Sequence, residues 1–165
     1  MSRGDARIRL LLQVLDQAFV AKGWQGATLR GAVRGLTHRQ ALWRPRTGRH
    51  NVWELVLHTA YWKHVVRQRV AGGVARPKRF RAGRATSRAC RSAATPRPGA
   101  RTSPCSSAST SCWSAVRDLP PSRLGARVGK SRWVVAEQIF GIAAHDLYHT
   151  GQIQLLKAMQ RERSG

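Results

Sequence analysis

The feature that most constrains the fold is a long helical pattern from Val134 to Gln160. Within it, residues that step by three or four positions form one stripe, which is the period expected of a buried helical face. The stripe consists of Gln138, Ile142, His145, His149, Gln152, Leu156 and Met159. The sequence therefore predicts one long helix whose buried face carries two histidines.

The two histidines of this helix have the spacing of a metal-ligand pair. Because residues four apart lie one turn above the other, His145 and His149 can share a metal ion from one side, and a third ligand must come from elsewhere. The same spacing is also typical of histidines that are simply packed in a core. Asp146 stands where the H-E-x-x-H motif of zinc peptidases has its glutamate, so a peptidase mechanism is not indicated.

A second long helix offers the third histidine. Asn51 and Glu54 form a capping signature, and the helix that they open is expected to end near Val70. Its apolar residues lie on more than one side, which is typical of a helix in the middle of a bundle. Near its centre is His58, on a stripe with Leu55, Trp62 and Val65.

Burying three imidazoles without a shared purpose is costly, because each polar ring needs a partner away from water. We therefore interpret His58, His145 and His149 as candidate ligands of one divalent metal ion in the interior of a helical bundle. His50 and His64 are expected to be structural or surface residues.

The remaining helical signals complete an all-α prediction. Apolar residues recur at helical spacing from Asp5 to Ala21, and Thr37 with Gln40 forms a capping box for a short helix that Pro45 closes. Ser131 is the nearest conventional cap before the last helix. We treat residues 1–165 as a single domain, which is long enough to bury a sizeable core.

One segment, residues 76–113, differs from the rest of the chain. The net charge of +23 would ordinarily indicate a nucleic-acid partner, but no acidic residue occurs between Glu54 and Asp118. The basic residues crowded there are Arg76, Lys78, Arg79, Arg81, Arg84, Arg88, Arg91, Arg97 and Arg101. From Arg76 to Cys112 no helical or strand period is recognisable. This basic, low-complexity segment inflates the total charge.

Two interpretations of residues 76–113 stay open. The first is a disordered basic linker that binds nucleic acid nonspecifically. The second is a segment translated out of frame, because Arg, Ala, Pro, Gly and Ser are what GC-rich coding DNA yields in a wrong frame. Degenerate codons permit a shifted reading that restores acidic residues and an apolar helical repeat continuing into Val116. We favour the frameshift.

Composition excludes several other classes. No apolar run approaches the ~18 to 20 residues of a membrane span, and no signal-peptide pattern opens the chain, so we expect a cytoplasmic protein without a membrane partner. The cysteines, at positions 90, 105 and 112, are odd in number and lack metal-site spacing. They therefore suggest neither a disulfide framework nor a zinc knuckle.

Three sequence motifs together resemble DinB-like domain proteins. They are Trp24-Gln25-Gly26 with Thr28-Leu29, the run HNVWELVLH at 50–58, and the run HDLYHTGQI at 145–153. The resemblance covers residues from about Arg7 to Val74 and from Ala115 to Met159. The last run is the most specific, because it combines H-D-x-x-H with a following G-Q.

This resemblance implies a four-helix bundle with a long crossover between the second and third helices. It also implies that His58, His145 and His149 hold a divalent metal ion, with zinc and nickel both known for the family. Members with known activity include thiol-dependent S-transferases and isomerases, so a low-molecular-weight thiol is an implied co-substrate. Many members form homodimers.

The chain departs from the family pattern in two places. The third helix should fall within residues 76–113 and be degraded there, and Val134 stands where relatives often carry a capping Thr, which weakens that helix end by ~1 kcal/mol.

These features favour a metal-dependent transferase or hydrolase acting on a small-molecule substrate. Residues expected to orient ligands or substrate are Asp146, Tyr148, Gln152 and Trp62. Asp146 lies about 100° from the metal-facing side of its helix, so it is expected to be a supporting or surface group. The alternatives are a nonspecific nucleic-acid-binding protein, which we do not favour, and a nonfunctional frameshifted product.

Overall fold

The computed structural model describes residues 5–72 and 104–163 of the chain. These residues form α1 (Ala6–Phe19), α2 (Leu29–Val33), α3 (His38–Leu42), α4 (Val52–Val70), α5 (Pro104–Arg117) and α6 (Val135–Glu162), with a 3-10 turn at Pro121–Arg123. Within the described ranges there is no β-strand, only two isolated bridges. The all-α prediction is confirmed.

Two capping boxes predicted from the sequence are present. At the start of α4, the Asn51 side chain accepts a hydrogen bond from the Glu54 backbone N–H at 2.9 Å, and Glu54 accepts in return from the Asn51 N–H at 3.3 Å. At the start of α3, Thr37 and Gln40 form the same reciprocal pair. Each box satisfies backbone donors that the first helical turn leaves without a partner, so it fixes where the helix begins.

The start of α6 differs from the prediction. Ser131 does not cap the helix, because its hydroxyl accepts from the backbone N–H of Trp133 at 2.9 Å. Val134 occupies the cap position, and Glu137 accepts from its N–H at 2.8 Å. Since valine has no side-chain acceptor, this end has only half of a capping box. The short helix α2, capped by Thr28, was not predicted.

Four helices form the bundle that carries the site. Helix α4 packs against both α5 and α6, and α1 packs against α5 and α6. The core contains residues from each, including Leu15, Val66, Val116 and Ile139. Helices α4 and α5 are the second and third helices of the bundle, and α1 and α4 each pack against both α5 and α6.

Part of the segment expected to lack regular structure is helical. Residues 104–113 belong to α5, and Cys112 and Val116 are both 0% exposed in the core. The expectation that this segment degrades the third helix is therefore wrong for residues 104–113, which are helical, and burial of Ser109 and Cys112 stabilises a sequence of weak helical pattern. The frameshift itself stays a prediction, because a helix does not test the reading frame of the coding DNA, and residues 76–103 lie outside the described residues. None of the described helices is long and apolar enough to cross a lipid bilayer.

Candidate metal centre

The structure brings the three predicted ligands together. His58 comes from α4, and His145 and His149 come from adjacent turns of α6. The Nε2 atom of His145 lies 3.1 Å from the Nε2 of His58 and 3.1 Å from the Nε2 of His149. All three rings therefore direct a nitrogen toward one point between the two helices, which is the arrangement that a shared cation requires.

The cluster lies at the edge of the bundle and not in its interior. His149 is only 7% exposed and His145 is half-buried, but His58 is exposed. The expectation that His58 lies on a buried stripe is therefore corrected. On α4, Leu55 and Val65 face the core, whereas His58 lies at the boundary with solvent. One side of the cluster is consequently open to a ligand arriving from water.

The spacing of the nitrogens fits a divalent metal ion. Zinc–nitrogen bonds in a tetrahedral site are 2.0–2.1 Å, which separates the ligand nitrogens by roughly 3.3 Å. The two pairs that involve His145 are 3.1 Å apart, close to this value, and all three ligand atoms lie within 4.8 Å of one another. Among the described residues, these histidines form the one group of three or more His, Cys, Asp or Glu side chains arranged to hold a metal.

Gln152 holds the ring of His149 in the orientation that a metal ligand needs. The Gln152 Oε1 atom lies 2.7 Å from Nδ1 of His149. Because an amide oxygen only accepts, Nδ1 carries the proton, and the Nε2 lone pair of the neutral ring is left for the cluster. Gln152 thus contacts His149, and its role as an orienting residue stays a prediction. By contrast, the Nδ1 atom of His145 is buried without a hydrogen-bond partner.

The cluster favours neutral imidazoles. Burial, with a further contribution from the neighbouring histidines, lowers the pKa of His145 to about 4. Burial is also the largest cause that lowers the pKa values of His58 and His149. Since a metal binds the unprotonated nitrogen, protons compete little for this site at neutral pH.

Asp146 points away from the cluster and forms a buried ion pair. Its carboxylate oxygens lie 2.6 and 2.7 Å from Nζ of Lys63, and each residue is only 1% exposed. The Lys63 ammonium also lies 4.7 Å from the centre of the Phe19 ring. Asp146 is therefore buried and paired with Lys63, so the expectation of a surface group is wrong, and a supporting role toward the histidines stays a prediction.

Lys63 itself was missed from the sequence. The signal was a single lysine near the middle of the most apolar helix, where a charged side chain needs a buried partner of opposite sign. Lys63 and Asp146 are neighbours in sequence of Trp62 and His145, so the pair joins α4 to α6 immediately behind the histidines.

Two other predicted residues lie beside the histidine cluster, and the two remaining histidines of the prediction lie outside it. The Trp62 ring lies near His58 and His145, with centroid separations of 6.2 and 6.4 Å. Tyr148 is exposed, and its ring centre lies 5.0 Å from that of His149. Outside the cluster, His50 contacts Glu54 and His64 contacts Gln68.

Two cavities differ in their relation to the histidines. A basic cleft of about 480 Å³ lies between α2, α3 and the carboxyl end of α6, and none of the three histidines lines it. A smaller groove of about 270 Å³ runs between α4 and α6, and His145 forms part of its wall. Of these two cavities, only the smaller groove is lined by one of the three histidines.

Comparison with known proteins agrees with the motifs and the fold. The family model described as DinB superfamily matches residues 23–153, which is more than half of the chain and includes all three histidines. Neither the comparison with curated proteins nor the comparison with solved structures finds a match. The chain belongs to the DinB superfamily.

Proposed function

We propose that this protein is a metal-dependent enzyme that transfers or hydrolyses a group on a small molecule, with a low-molecular-weight thiol as co-substrate. The observation that supports the proposal most directly is the convergence of three Nε2 atoms at a point open to solvent on one side. Three protein ligands leave at least one coordination position free, which is typical of catalytic sites and not of closed structural ones. Zinc or nickel is the proposed metal.

When bound, a divalent metal ion at this site would act as a Lewis acid that lowers the pKa of a water molecule or thiol. The protein contributes the rest of the arrangement. Burial lowers the pKa values of the three imidazoles and so favours their neutral form, Gln152 accepts from Nδ1 of His149, and the Trp62 ring lies edge-on to His58. The exposed side of His58 is where substrate would arrive.

The surroundings favour a thiol over water as the nucleophile. No carboxylate joins the cluster within the described ranges, and the nearest acidic neighbour in sequence, Asp146, is committed to Lys63. A general base for water is therefore not present among these groups. A thiol, with an ordinary pKa of about 8.5, ionises near neutral pH with little help, and its thiolate is intrinsically very nucleophilic. We accordingly propose thiol transfer ahead of hydrolysis.

Metal analysis of the purified full chain tests the proposal. We expect one zinc or nickel ion per chain, and we expect its loss from the variants His58→Ala, His145→Ala and His149→Ala. His50→Ala is the matched control, because His50 is also an exposed histidine but lies outside the cluster. A wild-type protein that binds no divalent metal with micromolar or better affinity would refute the proposal.

A further inference from the structure

The groove beside the histidines has two chemically different ends. On α4 its wall is formed by Trp62, Val66 and Arg69, and on α6 by Gln138, Ile142 and His145. The helices run in opposite directions here, because Trp62 lies beside His145 while Arg69 donates to Gln138 at 2.7 Å. The groove therefore leads from the histidine cluster to a guanidinium. Seven residues of helix separate the two ends, which is about 10 Å.

Gly141 leaves the floor of this groove open. It lies on the groove side of α6 between Gln138 and Ile142, and a Cβ atom built on it would meet nothing within 4 Å. Glycine in a helix interior costs about 1 kcal/mol relative to alanine. Gly141 therefore leaves room for a ligand in this part of the groove.

The polarity and charge of the side chains that line the groove favour one class of ligand. Its middle is apolar, with Val66 on one side and Ile142 on the other, and two planar indole rings, those of Trp62 and Trp133, line it. The far end carries the positive charge of Arg69, and no ion pair within the described part of the chain involves it. The one carboxylate of the groove, Glu137, accepts from the backbone N–H of Val134 at 2.8 Å.

We propose that this groove binds the substrate, and that the substrate is an elongated organic anion with a flat apolar body. Its anionic group pairs with Arg69, its body lies over Gly141 between Trp62 and Ile142, and its reacting group lies at the histidine cluster. This inference rests on the proposed function, since it takes the cluster as the place of reaction. It adds the substrate class and the residues that select it.

A designed probe tests the inference on the metal-loaded protein. The probe is 4-(mercaptomethyl)benzoate, which has a thiol for the metal, a flat ring and a carboxylate at the opposite end. Its neutral analogue, 4-(mercaptomethyl)benzamide, has the same shape without the charge. We expect the carboxylate to bind roughly tenfold more tightly than the amide, because a charge-assisted hydrogen bond to guanidinium is about that much stronger. Binding is measured by isothermal titration calorimetry.

Two variants separate the groove from the metal site. Gly141→Leu fills the groove, so it is expected to weaken both probes by roughly tenfold or more while the metal content stays unchanged. Gly151→Leu is the matched control, because Gly151 is also an exposed glycine of α6 with open space at Cβ but does not line the groove. Arg69→Met is expected to abolish the difference between carboxylate and amide.

The metal and probe measurements separate an error in the groove assignment from an error in the metal site. If metal binds normally but Gly141→Leu binds the probes as the wild type does, the groove assignment is wrong and the metal site stands. Equal affinity of the wild type for carboxylate and amide overturns the anionic substrate class. Absence of metal binding in the wild type overturns the proposed function and this inference with it.

Discussion

Removing the ammonium of Lys63 is expected to destabilise the fold severely. The variant Lys63→Met keeps most of the length and apolar volume of the side chain, but it leaves the Asp146 carboxylate without its partner at a position 1% exposed. Breaking a buried ion pair by removing one partner costs about 3–5 kcal/mol, because a lone charge stays away from water. Loss of the contact between Lys63 and the Phe19 ring adds to this cost.

The double variant Lys63→Met/Asp146→Leu is expected to recover most of that loss. Replacing a buried ion pair by apolar side chains of similar volume is often neutral or stabilising, because the cost of removing two charges from water disappears. The two changes are therefore expected to be strongly non-additive, by about 2–3 kcal/mol. Lys130→Met, at an exposed position, is the control for the loss of one positive charge.

The loss of folding stability caused by Lys63→Met is expected to depend on pH. Burial raises the pKa of Asp146 to about 6, and Lys63 opposes this rise. Without Lys63, the pKa in the folded state is higher still and lies well above the value in the unfolded chain. A raised folded-state pKa gives stability that is present at low pH and lost as pH rises through that pKa. The variant should therefore lose more stability at pH 8 than at pH 5.

Urea unfolding followed by far-UV circular dichroism measures these free energies. We expect the midpoint of Lys63→Met to fall far below that of the wild type at pH 8, with an unchanged m value, and the double variant to lie close to the wild type. A single-variant cost below about 1 kcal/mol, or a double variant as unstable as the single one, would refute the reasoning that this pair is buried and coupled.

Three further predictions follow from the same structure and sequence. Because the pKa of His145 is lowered to about 4, the stability of the metal-free protein should decline as pH falls from about 6.5 to 4, as measured by urea unfolding; a flat profile would contradict the burial of this ring. Gln152→Leu removes the acceptor for Nδ1 of His149 and should weaken metal binding by about 10- to 100-fold in a chelator competition, with the fold retained. Resequencing of the coding DNA between the codons of Ala75 and Ser114 should reveal a compensating pair of small insertions or deletions relative to relatives, whereas an intact frame encoding these residues in independent relatives would exclude the frameshift.

Local sequence determined where several helices begin and how two of the three candidate ligands are aligned. The capping boxes of α3 and α4 depend on contacts between residues three apart, so they can be predicted without any knowledge of the fold. The same is true of His145 and His149, whose alignment follows from the helical period alone. The candidate ligand His58 also came from the sequence, through its place in a long apolar helix and the family resemblance.

Tertiary packing determined the features that the helical period does not fix: which helix faces are buried and which distant residues meet. Whether His58 lies in the core or at its edge depends on how α4 is rotated against α5 and α6, which no local pattern fixes. Lys63 and Asp146 are 83 positions apart, and only the packing of α4 on α6 brings their charges within 2.6 Å of each other. Helix α5 likewise forms in a segment of weak pattern, because Cys112 and Val116 are buried against its neighbours. Local hydrogen bonds set where helices begin, but long-range burial set which of their faces meet and so placed the histidines at an edge open to solvent.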